Sequence, residues 1–257
     1  MKNQKIVKFI SGFVFVAILI ISCEKSKIYE TMSLDNEAIR SLSRATGEAH
    51  NILIEKAANV IDIKKSTSDQ YRNAILSIRL SNFSLNVPKS DVLFDKVGLI
   101  DPKKYVENHF KQLNAKTKNY LIDIFLLAKE GFSLNTFKKI DLNLVRLLDD
   151  KELTDSEKVL LSGTLEICRN SLIYWNDARK NNQNPYHTFF SNTIKSYSTP
   201  MVPFDCTTMI DMSMYAISFQ DNYYNNALPL EISNQIALID AAYQSGLASM
   251  AGGACFQ

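Results

Sequence analysis

The chain is poor in the residues from which most catalytic signatures are assembled. It has eight glycines, six prolines, four cysteines, three histidines and one tryptophan in 257 residues. The glycines form neither Gly-x-x-x-x-Gly-Lys-Ser/Thr nor Gly-x-Gly-x-x-Gly, so neither phosphate cradle is present. There is no Gly-x-Ser-x-Gly elbow, and Ser162-Gly163-Thr164 lies inside a helical pattern, the wrong context for a nucleophile. His50, His109 and His187 make neither His-x3-His nor His-Glu-x-x-His. The lack of Cys-x-x-Cys speaks against a structural zinc site or a thioredoxin-like motif. Long alternating apolar patterns, Asn-Gly hairpin turns and repeats of constant period are also missing, which removes the usual signals for β-structure and solenoids.

A basic excess is missing as well. The net charge of +2 belongs to the N-terminus, where residues 1–22 carry Lys2, Lys5 and Lys8 and no acid. The remaining 235 residues sum to −1, which argues against nucleic acid as a partner. Lys195 is the last basic residue. Residues 23–195 sum to +4 and residues 196–257 to −5, so the two parts should attract one another and form one domain. A helix without lysine has little need of a solvated face, so the last two helices are expected to be central.

What is present begins with a leader. After the charged residues 1–8, the stretch from Phe9 to Ile21 is apolar except for Ser11 and Gly12. Thirteen residues are too few to span a bilayer as a helix, which takes roughly 20, but match a signal-peptide apolar region. The run ends in Leu19-Ile20-Ile21-Ser22-Cys23. This resembles the lipobox of bacterial lipoproteins: aliphatic residues, a small residue, then cysteine. The resemblance covers about 23 residues and implies cleavage before Cys23, with acylation of its thiol and new amino terminus. It divides the chain into a signal peptide (1–22), a lipidated tether (23–32) and a helical domain (33–257). It also implies a place in the bacterial cell envelope, at the outer membrane or cell surface in preference to the inner membrane. Lipid on Cys23 would make the membrane the first partner, since each buried methylene adds roughly 0.8 kcal/mol of anchoring. Beyond this leader the chain resembles no family.

The body reads as all-α, a single bundle of eight to ten helices. Ser33 or Asp35 can cap a first helix whose apolar positions recur with helical spacing to Ile61. A second helix turns Tyr71, Ile75 and Ile78 inward and stops before Pro88. Ser90 can open a short helix through Val97, and Asp101-Pro102 a longer one to about Asn114. Tyr120–Lys129 ends at Gly131, and Ser133 starts the next helix. Thr154-Asp155-Ser156-Glu157 is a capping box that should open a long helix to about Arg179. Tyr186–Tyr197, a helix capped by Asp205, a loop over 221–229 and a last helix over 230–250 complete the body. Small residues at 241, 245, 249 and 253 form one face of that last helix, suited to close packing within the bundle.

Cys168 lies in the stripe Leu161, Leu165, Cys168, Leu172, Trp175 and reads as core. An oxidising compartment permits a disulfide between Cys206 and Cys255, closing a loop of about 50 residues for roughly 4 kcal/mol; two free thiols are the alternative.

Two polar-aromatic segments are the candidate ligand sites. One includes Trp175, Tyr186 and His187, the other Tyr223 and Tyr224 among asparagines. Tyrosine and tryptophan supply flat apolar area with a polar handle, suited to a glycan or a protein surface. A metal or acid–base site assembled from distant residues would draw on His50, His187, Asp205 and Asp211. No cofactor is implied. The leading expectation is a lipid-anchored, extracytoplasmic, non-catalytic module that binds a glycan, peptide or protein. The alternatives are a hydrolase using the distant His and Asp residues, and an immunity or inhibitor lipoprotein. The leader makes a direct prediction: cells fed an alkynyl fatty acid incorporate it into the chain, and Cys23→Ser abolishes the label.

Overall fold

In a computed structural model, residues 34–80, 101–194 and 206–250 are described. The chain divides before Asp35, and every helix among the described residues belongs to the compact unit that begins there. The helices are α1 (Asn36–Val60), α2 (Ser68–Leu80), α3 (Pro102–His109), α4 (Ala115–Glu130) and α5 (Leu134–Asp149). After them come α6 (Asp155–Lys180), α7 (His187–Ile194), α8 (Cys206–Gln220) and α9 (Leu230–Met250). No strand occurs among the described residues, and the body is an all-α bundle.

The starts of the helices follow the side chains that can satisfy open backbone donors. Asp35 accepts from the Ala38 amide at 2.7 Å and opens α1. Asp101 caps α3 ahead of Pro102, Asn114 caps α4 and Ser133 caps α5. Thr154 and Glu157 form the reciprocal capping box of α6. At the other end of α4, Gly131 adopts φ 74°, a left-handed conformation that favours glycine.

Two boundaries differ from the sequence expectation. The helix after Pro102 ends at His109, and a new one starts at Ala115, five residues before the expected Tyr120. Asn114 was read as the end of one helix, but its side chain is the cap of the next, accepting from the Thr117 amide at 2.9 Å. The loop expected over 221–229 begins with a π-helical turn, Asp221–Asn225. The expected helix over 90–97, Asp205, Cys23 and Cys255 lie outside the described residues, and the Cys206–Cys255 pairing lies there with them.

The spine of the bundle is the parallel pair α1 and α6. Ser43 meets Ser162, the Gly47 backbone approaches Glu166, and the Asn51 amide donates to the Asn170 carbonyl at 2.9 Å. Each contact has the same offset of 119 residues. Leu161, Leu165, Cys168, Leu172 and Trp175 are fully buried, so the expected stripe of α6 is core.

Helix α8 lies against α6 and is buried at every residue from Thr207 to Gln220. It contains no lysine or arginine because it has no solvated face to furnish. Helix α9 packs on α8, α1 and α2 through its small residues: Ala241, Ala242 and Ser245 are buried, and Gly246 lies under the Tyr71 ring. The antiparallel pair α4–α5 forms an outer layer, with Asp123 beside Arg146 at 3.7 Å and Glu130 beside Lys139. Asp150 and Glu152 hold Lys116 at 2.7 and 2.8 Å and tie the ends of this pair together.

Two close approaches leave no room for a side chain. A Cβ on Gly163 would sit 2.2 Å from the Tyr215 hydroxyl, and one on Gly246 2.1 Å from the Tyr71 ring. Gly246→Ala is therefore expected to destabilise the protein by about 2 kcal/mol in chemical denaturation, the usual cost of overpacking. A second change, Tyr71→Leu, should recover part of that loss by emptying the same space.

Candidate functional site

The sequence candidates fall into an interior group and a surface group. Inside, α1, α6 and α8 bring His50, Trp175 and Asp211 together, all fully buried. The Trp175 indole N–H donates to Asp211 Oδ2 at 2.8 Å. The His50 Nε2 atom lies 3.8 Å from the same oxygen and makes no hydrogen bond of its own. The Asn51 amide already donates to Asn170, so its Oδ1 is free to accept from His50 Nδ1–H at 3.2 Å. That arrangement leaves the Nε2 lone pair facing the carboxylate. Burial holds the His50 pKa down at about 4, overriding the Asn51 bond, so the imidazole is neutral at physiological pH.

Other interior polar groups satisfy one another. Tyr215 donates to Asn234 Oδ1 at 2.7 Å, and the Asn234 amide donates to Thr46 Oγ1 at 3.1 Å. Ser218 donates to Asp240 Oδ2 at 2.6 Å. Burial raises Asp240 to about 6 despite the Ser218 bond. Tyr71 and Tyr186 share a hydrogen bond at 2.9 Å, and burial pushes both hydroxyls well above the usual phenol range. The spacing signals for these pairs are weak because each joins residues far apart in the sequence or on different elements.

The remaining candidates scatter. Tyr186 is fully buried, packed edge-on against Trp175 with ring centres 5.4 Å apart. Neither residue is the solvent-facing platform expected from composition, because the apolar area of these rings is used to seal the interior between α6 and α7. His187 is half-buried and donates from Nδ1 to the Ala178 carbonyl at 3.0 Å. Of the proposed metal set, the structure brings together His50 and Asp211, and Asp205 lies outside the described residues. Among the described residues no group of three or more His, Cys, Asp or Glu is placed to hold a metal ion.

The surface group is different. Tyr223 and Tyr224 are half-buried on the π-helical turn that ends α8. Tyr223 stacks on Phe219 at 5.8 Å, and Tyr224 meets it edge-on at 5.0 Å. Asp221, Asn225 and Asn226 are exposed beside them. Asp221 accepts from the Asn225 amide at 2.7 Å, and Gln112, from the turn before α4, bonds Asn225. Gln220 donates to the His109 carbonyl at 3.1 Å and docks this corner on the end of α3. Just beyond, Ala227 has φ 51°, a left-handed conformation costing a non-glycine residue roughly 1 kcal/mol. Neither the π turn nor the strained Ala227 leaves a trace in residue periodicity.

No family model matches the chain, and neither the curated proteins nor the solved structures contain a match to it.

Two of the buried titrating groups pull stability in opposite directions. The pKa of His50 is lower in the fold than in the unfolded chain. Its contribution is therefore complete above pH 6.5 and is lost as pH falls toward 4, about 3 kcal/mol in all. The pKa of Asp240 is higher in the fold, so its contribution is complete below pH 3.8 and is lost as pH rises through 6, again about 3 kcal/mol. Over the shared window the two nearly cancel. Asp240→Asn should equal the parent in stability near pH 4 and exceed it at pH 8. Denaturant titrations at the two pH values measure the difference, and an unchanged gap would show that Asp240 does not titrate in the fold.

Proposed function

We propose that this chain is a lipid-anchored, extracytoplasmic binding module of the bacterial cell envelope, held at the outer membrane or cell surface by Cys23. Its ligand site is the corner formed by the π-helical turn Asp221–Asn225 and Gln112. The ligand is a glycan, peptide or protein segment that presents hydrogen-bonding groups along a flat apolar face.

The observation that carries this reading is a coincidence of features at one corner. Two half-exposed tyrosines stand among exposed Asp221, Asn225 and Asn226, on a π turn followed by a left-handed alanine. Irregular backbone of this kind is costly and concentrates where side chains are presented to a ligand. Tyr223 is backed by Phe219, so its ring is held with little conformational freedom left to lose on binding. Asparagine and glutamine offer both donors and acceptors, the chemistry that pairs with hydroxyl or amide groups. The alternative use of the polar residues, catalysis by His50 and Asp211, is opposed by their complete burial behind Trp175.

Full-length protein in detergent, screened on glycan and peptide arrays, provides the test. Tyr223→Ala and Asn225→Ala should each weaken the strongest binder about tenfold, with melting curves close to the parent. Unchanged affinity in both variants rejects this corner as the site.

A further inference from the structure

We propose that the outer face of the α4–α5 pair rests on the membrane to which Cys23 attaches the chain, so that the body lies on the lipid surface instead of swinging free. The inference rests on the lipid-anchor reading and adds a surface and an orientation to it.

The face carries large exposed apolar residues among exposed Lys138, Asp141 and Asp149. Leu134 is 83% exposed and Leu142 70%, and Val145, Phe132 and Leu126 are each close to half exposed. On a helix of 3.6 residues per turn, Leu134, Leu142 and Val145 fall within a sector of about 80°. The antiparallel register set by Asp123–Arg146 and Glu130–Lys139 places Leu126 opposite Asn143, next to Leu142. Phe132 packs edge-on against Phe137 at 5.2 Å and extends the strip past the start of α5.

Two observations select the membrane as occupant. The first is where the anchored end of the body lies. Lys158 Nζ bonds both the Asn36 side chain, at 3.2 Å, and the Leu148 carbonyl at the end of α5, at 2.7 Å. The start of α1 and the Val145 end of the strip are therefore neighbours. The chain from Cys23 to Asp35 can reach at most about 40 Å, and the strip from Leu148 back to Leu134 is about 21 Å long, well within that reach. The second is charge. Residues 115–152 carry seven basic and six acidic residues, with Asp150 and Glu152 bound to Lys116, whereas residues 206–250 carry four acidic and no basic ones. Exposed Lys138 lies in the same sector as these apolar residues and suits an anionic bilayer surface, into which such a face sinks to the headgroup boundary.

The test places a tryptophan at Leu134 or Leu142 of the full-length chain, with Val60→Trp as control. Val60 is 62% exposed at the far end of α1, about 36 Å from Asn36. Each variant is reconstituted in phosphatidylethanolamine–phosphatidylglycerol vesicles, with and without brominated acyl chains. Brominated lipid should quench the tryptophan at 134 and at 142 about twofold relative to the control. Equal emission at all three positions in chains that float with the vesicles overturns the proposal, as does failure to float. A blue shift at 134 without quenching, growing with protein concentration, would assign the face to a second copy and also overturn it. Fatty-acid labelling of Cys23 in the same preparations reports on the anchor alone. Label without quenching removes the docked face and keeps the lipoprotein. Quenching without label does the reverse, because the apolar leader still holds the chain to the vesicle.

Discussion

Complete burial of α8 is the constraint on which the rest of the bundle depends. A helix enclosed on all sides must have its side-chain polar groups answered by its neighbours, since an unanswered one costs on the order of 1–3 kcal/mol. Helix α8 carries Asp211, Tyr215 and Ser218, which draw in two neighbouring helices: Trp175 of α6, then Asn234 and Asp240 of α9. The glycines at 163 and 246 follow from the same crowding, because the tyrosines they face have no other space. Apolar area gives this core its stability. The few internal polar pairs choose which helix faces which.

Most of the fold was legible because the elements announce themselves locally. Asp35, Asp101, Ser133 and the Thr154–Glu157 box each cap the helix they were expected to cap, and the stripe from Leu161 to Trp175 is interior throughout. Asn114 was misread because an asparagine can end one helix or begin the next, and only the Thr117 amide decides between them. The absence of lysine and arginine after residue 195 pointed correctly to a buried α8.

The site was less legible, for physical reasons. Composition marks aromatic residues as suited to binding, but Trp175 and Tyr186 serve the interior while Tyr223 stays at the surface, and nothing in their immediate neighbours separates the cases. The pairing of His50 with Asp211 joins residues on α1 and α8, which periodicity within one helix cannot reveal. The π turn and the left-handed Ala227 are conformations imposed by how α8 is joined to α9, so they appear only once both helices are in place.

The constant offset between α1 and α6 has a consequence for how the molecule is made. During synthesis α1 finds its main partner only after 119 further residues have followed. The hairpins α4–α5 and α5–α6 close over far shorter loops and can form ahead of it, since loop closure over many residues carries the larger entropic cost. Until then α2, the next helix, is the neighbour at hand to cover Leu53 and Ile54, while the Ile39 end waits for later helices. Helix α1 therefore depends on partners made much later, and a companion that shields it meanwhile would shorten the interval in which it can aggregate.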